Sequence, residues 1–197
     1  VHAVTETAQP KSRNANLPGD FAIWVFIFSE LMVFGIFFLA YAFTRSNNVD
    51  LFNASQATLN QTAGLVNTLV LITSSYLVVR AVQAIRRGDS IRCSRFLWMA
   101  GAMGAVFLVI KVVEFGEKFS AGITLSTNTF YMFYLSLTFF HFLHVILGMV
   151  ILFAVALKAR RGGYSANDHQ GVETGGSYWH MVDLVWVILF PLVYVVR

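Results

Sequence analysis

The sequence predicts an all-α membrane protein, a bundle of five transmembrane helices with its N-terminus in the cytoplasm and its C-terminus external. Three observations predict it. Of 197 residues, 57% are hydrophobic and only 12% charged, where a soluble domain is roughly a quarter charged. The mean hydropathy is +0.65. The apolar residues gather into five runs, at about 21–44, 62–85, 95–118, 128–158 and 177–196. Rising about 1.5 Å per residue, each can cross a hydrocarbon core of about 30 Å. The runs are too long and unbroken for strands, and lipid accepts only helices or closed barrels.

The segment 1–20 is polar and without periodicity, and is expected to be a flexible cytoplasmic tail; residues 21–197 form one transmembrane domain. Pro18-Gly19-Asp20 breaks the tail and offers a cap before Phe21. The loop 45–61 is rich in Asn, Gln, Ser and Thr. The loop 86–94 is short and basic, which makes spans two and three antiparallel neighbours. Ser126, Thr127 or Asn128 can cap span four, and Ser177 span five. Between them, Gly162-Gly163 and Gly175-Gly176 mark 159–176 as irregular. Pro191 lies inside the last span, removes one backbone hydrogen bond and predicts a kink.

Basic residues set the orientation. With the N-terminus inside, the cytoplasmic side holds Lys11, Arg13, Arg86, Arg87, Arg92, Arg95, Lys158, Arg160 and Arg161, and the outside only Arg45, Lys118 and Arg197. Arg80 and Lys111 lie within spans. Trp24, Trp98 and Trp179 fall at cytoplasmic helix ends and Tyr41, Tyr131 and Tyr194 near external ones, as interfacial belts would. This bias and contact with anionic lipid account for the net charge of +4, which gives no support to nucleic-acid binding. Cys93 is the only cysteine, so no disulfide or thiolate cluster forms within the chain. The first apolar run is too long for a signal core and is expected to stay in the membrane.

Ionisable groups in a span are costly and therefore informative. Glu30 sits in span one, Lys111 and Glu114 in span three, His141 and His144 in span four, His180 and Asp183 in span five. Glu30 and the two histidines of span four share the middle depth and are expected to meet there. Lys111 and Glu114, three residues apart on one face, can neutralise each other. His180 and Asp183 share that spacing near the cytoplasmic interface and suit a polar link between helices. His141 and His144 could ligate haem or a metal. Apart from Glu30, however, no further ligand is offered at their depth, and two histidines at i, i+3 on one helix cannot sandwich a porphyrin. Ala100, Gly101, Gly104 and Ala105 form small-xxx-small patterns on span three, and Thr73, Ser74 and Ser75 add hydroxyls on span two, which predicts close helix contact. The phenylalanines of span one suit a lipid-facing or partner-facing surface.

Tyr178-Trp179-His180-Met181-Val182-Asp183-Leu184-Val185-Trp186 resembles the YWHxVDxVW segment that ends subunit III of the haem-copper oxidase superfamily, the cytochrome c oxidase subunit III family. Phe140-His141-Phe142-Leu143-His144-Val145-Ile146-Leu147-Gly148 is similar to its FHxLHVxxG, and Leu65-Val66-Asn67-Thr68 to its LLNT. Ser29-Glu30 is similar to its membrane-embedded SE, and Glu114-Phe115 to its EY or EF. Full-length members have seven spans; five-span forms include quinol-oxidase subunits and NorE-type proteins associated with nitric oxide reductase. Leu17-Pro18-Gly19-Asp20 and the segment 188–197 look most like the NorE type.

The resemblance implies a multi-pass protein of the bacterial inner membrane. It further implies a non-catalytic accessory subunit that binds no haem or metal itself, packs against the catalytic subunit of a terminal oxidase or nitric oxide reductase, contacts membrane lipids, and supports proton or substrate access. Its site candidates are structural or proton-handling: Glu30, Asn67, Lys111, Glu114, His141, His144, His180 and Asp183. The alternatives are a haem-binding electron-transfer bundle using His141, His144 or His180, and a small proton-coupled transporter using Glu30. The absence of an internal repeat argues against the transporter.

The topology is testable by impermeant thiol labelling in intact cells. A cysteine at position 53 should label from outside, and one at position 88 only after lysis; the opposite pattern inverts the orientation.

Overall fold

The computed structural model describes residues 21–196; the tail 1–20, with its cap Pro18-Gly19-Asp20, Lys11 and Arg13, lies outside the described residues, as does Arg197. The described chain is helical, with no strand: α1 (Phe21–Ser46), α2 (Val49–Gln56), α3 (Gln61–Arg86), α4 (Ser90–Ser120), α5 (Thr129–Arg160) and α6 (Gln170–Phe190), followed by a π-helical turn, Pro191–Val195. Five of these, α1, α3, α4, α5 and α6 with its π turn, are long and apolar enough to cross a membrane.

The core is made by α3, α4, α5 and α6, with α6 packed against both α3 and α5. Its Trp179, Val182, Trp186 and Leu189 are fully buried. Glycines make room for those rings. A Cβ at Gly104 would lie 2.8 Å from the Trp179 ring and one at Gly148 2.7 Å from it, so the indole wedges between α4 and α5 where both lack side chains. Hydroxyls bond the helices at that level and again nearer the arginine-rich loop. Ser74 donates to the Ala100 carbonyl (2.8 Å) and accepts from Trp179 Nε1 (3.1 Å), while Ser94 donates to the Ala156 carbonyl (2.8 Å).

Helix α1 stands apart from this core. It buries only Ile27, Phe34 and Tyr41, one residue every two turns, against α5 and α6. The opposite stripe of Phe21, Val25, Phe28, Met32, Ile36, Leu39 and Phe43 is exposed, as a helix apolar all round permits in lipid.

Four sequence expectations change. Asn128 does cap α5, accepting from the Tyr131 amide (2.8 Å), but Ser177 caps nothing, because α6 starts upstream at Gln170. Gly175 and Gly176 lie inside that helix, where a Cβ would come within 3.3 Å of Ile151 and of Val78; they are contact points between helices rather than loop markers. Trp179 is therefore well inside its helix and buried, and Tyr41, Tyr131 and Tyr194 are buried as well. Of the expected belt, Trp98 is exposed and Trp24 half-buried. Within the expected loop 45–61, Val49–Gln56 folds as α2, which inserts Phe52 edge-on against Tyr41 and Phe130.

At Pro191 the backbone widens into the π turn, closed by the Val196 amide donating to the Pro191 carbonyl (2.9 Å). Proline has no N–H and its ring crowds the preceding turn, so the helix opens there. The carbonyls left free at its end are taken by glutamines: Gln56 Nε2 donates to Val193 O (2.9 Å) and Gln61 Nε2 to Tyr194 O (2.8 Å). This turn positions Tyr194.

Gly148→Ala should destabilise the bundle by about 1–3 kcal/mol, since the added methyl must displace a fully buried indole. Gly116→Ala, where a Cβ meets open space, should be neutral. Unfolding in mixed SDS micelles, followed by tryptophan fluorescence, measures both.

Candidate functional site

The interior polar groups lie in layers along the bundle. Near the end away from the arginine-rich loop, Lys111 and Glu114 face inward one turn apart on α4. Lys111 is wholly buried and Glu114 nearly so. Lys111 Nζ donates to Glu114 Oε2 (3.0 Å) and to the Tyr194 hydroxyl (2.6 Å). Tyr194 and Tyr134 then both donate to Glu114 Oε1 (2.6 Å each). The ammonium also lies 4.9 Å from the centre of the Trp186 ring, a cation–π contact in a dry site. Both carboxylate oxygens and two of the three ammonium protons are thus engaged, the condition under which a buried pair is tolerated.

The next layer holds Asn67 of α3 and His141 of α5, both fully buried. His141 stacks on Trp186 (centroids 5.3 Å apart) and meets Phe107 edge-on at 5.6 Å. Trp186 Nε1 in turn donates to Thr68 Oγ1 (3.0 Å). Neither the Asn67 amide nor the His141 ring nitrogens hydrogen-bond to a described residue.

His144 points from α5 toward α1. Its Nε2 is 3.0 Å from Glu30 Oε2, and its Nδ1 is 2.7 Å from the Phe140 carbonyl. A carbonyl only accepts, so Nδ1 carries a proton. The contact with Glu30 then holds one more, donated either by the carboxylic acid to Nε2 or by an imidazolium to the carboxylate. The sequence placed Glu30, His141 and His144 together; the structure joins Glu30 to His144 alone. A step of three residues turns a side chain about 60° around the helix, which sends His141 into the core.

Toward the arginine-rich end, His180 Nδ1 is 2.7 Å from Ser75 Oγ, linking α6 to α3, and 3.9 Å from Asp183 Oδ2. Asp183 is buried, and its carboxylate oxygens make no hydrogen bond with described residues. Beyond it, Arg86 at the end of α3 pairs with Glu173 of α6 (2.7 Å).

Sequence reading missed Tyr134, Tyr194, Thr68 and Trp186 as members of these layers. Tyr134 lies in the same span segment as the histidines, and its polar tip was a usable signal. Tyr194 became a ligand of Glu114 only through the π turn. Among the described residues no three His, Cys, Asp or Glu side chains converge in a way that could hold a metal ion.

Helices crossing a membrane and polar groups that mostly bond to one another define a multi-pass membrane protein whose interior is arranged to hold helices together. Residues 14–196 match the family model of cytochrome c oxidase subunit III. The chain is 36% identical over 172 residues to cytochrome c oxidase subunit 3 of Thermostichus vulcanus, covering 87% of this chain and 84% of that one. It is 34% identical to the Synechocystis sp. protein of the same name, covering 88% and 74%. It is also 33% identical to the haem-copper oxidase subunit I+III of Aeropyrum pernix, covering 89% of this chain and 22% of that longer one. The chain belongs to the cytochrome c oxidase subunit III family.

Replacing one member of the Lys111–Glu114 pair leaves the other buried and unpaired, so Lys111→Met or Glu114→Leu alone should cost about 3–5 kcal/mol. The double variant Lys111→Met with Glu114→Leu should recover most of that loss. A double-mutant cycle on unfolding free energies in micelles checks the coupling, and additive losses would show that the pair does not act as a unit.

Proposed function

We propose that this chain is a non-catalytic accessory subunit of a haem-copper respiratory complex in the bacterial plasma membrane. In that complex it packs against the catalytic subunit, stabilises it and supports proton or substrate access. The observation that carries this reading is the family match over residues 14–196. A relative whose name joins subunits I and III supports subunit I as the neighbour. Haem and metal then belong to that partner. The exposed stripe of α1 and the lipid-facing sides of α3 and α4 leave ample apolar surface for it. Relatives named cytochrome c oxidase subunit 3 favour an oxygen-reducing partner, while the resemblance of the end segments to NorE-type proteins favours a nitric oxide reductase.

Within this role the Glu30–His144 contact is the proton-handling candidate. It joins the loosely packed α1 to the core, and its bonding requires a shared proton. The Lys111–Glu114 cluster, Asn67, His141, His180 and Asp183 are read as structural.

A mild-detergent pull-down of the chain should bring down a haem-copper catalytic subunit, and identifying that subunit decides between the two acceptors. Deleting the gene should shorten the lifetime of the complex while leaving its haem spectrum present. If every oxidase and reductase keeps normal activity and lifetime in the deletion strain, the accessory role is wrong. Glu30→Gln should retain assembly, because the amide can still donate to His144 Nε2, while Glu30→Leu should weaken it. Equal assembly of both variants, measured by the yield of the co-purified complex, would remove Glu30 from the attachment of α1.

A further inference from the structure

Of the two basic residues that the sequence places within spans, Lys111 is bonded in the core, whereas Arg80 is exposed on the outside of the bundle. Arg80 stands six residues before the end of α3 at Arg86, about 9 Å along the helix toward the middle of the membrane. An arginine at that depth can extend its long stem back to the boundary and keep its charge in water or among headgroups. Arg80 does the reverse. Its Nη1 donates to the hydroxyl of Tyr76 (2.7 Å), which lies one turn deeper in the same helix. Its Cζ is 5.7 Å from the centre of the Tyr76 ring and 5.4 Å from that of Phe96 on α4. Aromatic groups of two helices thus hold the guanidinium against the face that α3 and α4 share.

A guanidinium is a permanent cation with five N–H donors, and the hydrogen bond to Tyr76 uses one of them. No carboxylate among the described residues pairs with Arg80. The acids of neighbouring elements are engaged elsewhere: Asp89 with Arg92 (3.1 Å), Glu173 with Arg86 (2.7 Å) and Glu30 with His144 (3.0 Å). The surface that continues from Arg80 toward the middle of the span is apolar and exposed, through Tyr76, Ile72 and Leu69 on α3 and Met99 and Val106 on α4. A cation turned toward such a surface without a counter-charge is costly in lipid. A carboxylate brought by another chain removes that cost.

We propose that the α3–α4 face around Arg80 is where a partner subunit docks, through a transmembrane helix that carries an Asp or Glu at the depth of Arg80. The carboxylate accepts from the open edge of the guanidinium, whose fork suits both of its oxygens. It also accepts from the Tyr76 hydroxyl, which takes a hydrogen bond from Arg80 and can still donate its own proton. The exposed side chains of α3 and α4 pack against the rest of the helix. Because the charge is turned away from the depth of lipid headgroups, a protein carboxylate fits it better than a lipid. The proposal rests on the accessory-subunit reading and deepens it. Among the apolar surfaces which that reading leaves for a partner, it selects one and names the chemistry that completes it.

The test places a photoreactive amino acid in the full chain at position 73, two turns from Arg80 on the same face, or at position 36, on the exposed stripe of α1. Cells are illuminated, the complex is purified in a mild detergent, and the cross-linked peptides are identified by mass spectrometry. With Arg80 in place, position 73 should cross-link to a transmembrane segment of a co-purifying subunit, and that segment should contain an Asp or Glu. Arg80→Gln should lower recovery of the subunit about fivefold or more. Arg80→Glu combined with an arginine in place of the partner's acid should restore it. Arg160→Gln with Arg161→Gln removes more charge from the same end of the bundle and should leave recovery unchanged; an equal loss there would overturn the pairing. A partner that co-purifies but cross-links only at position 36 would overturn this face and leave the accessory role standing. Cross-links from position 73 to lipid alone, to a second copy of this chain or to a segment without an acid would overturn it as well. If the wild type brings down no haem-copper subunit, the accessory reading fails and this proposal with it. The cross-link is read in a chain that keeps Arg80, so it still decides the matter if Arg80→Gln loses its helical circular dichroism.

Discussion

A lysine ammonium removed wholly from water sets the terms for one half of this bundle. Lys111 is tolerable only because Glu114, Tyr194 and Trp186 surround it, and Glu114 in turn is held by Tyr134 and Tyr194. Those partners come from α4, α5, α6 and the turn after α6, so satisfying one charge fixes the relative heights of three helices. The widened turn at Pro191 belongs to the same constraint. It brings the Tyr194 hydroxyl within reach of both charges, and the glutamines of α2 and α3 accept the duty of bonding its freed carbonyls.

The other half is held by shape more than by charge. Lipid tails are as apolar as the helices, so there is no hydrophobic gain in bringing helices together, and close packing with hydrogen bonds must do it. Trp179 enters the space left by Gly104 and Gly148 and bonds to Ser74, while Gly175 and Gly176 let α6 approach α5 and α3. Helix α1 has no such notch, since a Cβ at Gly35 would meet open space. Its seam is narrow, and it is tied to α5 through Glu30 with His144 and to α2 through Tyr41 with Gln56 and Arg45 with Asn53, which makes it the element most readily adjusted by a neighbour.

That division into a tightly bonded core and a loosely attached helix fits the accessory role proposed for the chain. The family relation is the ground for that role; the bonding accounts for how the chain holds its own helices together. Interior charges that compensate one another leave the outer surface free to be apolar, for a partner or for lipid.

The number and type of the spans were legible in the sequence because a bilayer imposes length and apolarity on every crossing helix, whatever it packs against. The pairing of Lys111 with Glu114 was legible as well, since one turn of helix fixes it locally. What the sequence could not decide was which way each side chain faces across helices. His141 and His144 carry the same chemistry three residues apart, yet one is stacked in the core on Trp186 and the other reaches Glu30 on α1. Tyr194 and Trp179 sit at positions that suit an interfacial belt and are instead buried, because the start of α6 at Gln170 and the π turn at Pro191 shift them inward. Those outcomes depend on helix rotation and height, which are set by glycine notches and interhelical hydrogen bonds between residues far apart in the chain, and only the tertiary structure brings them together.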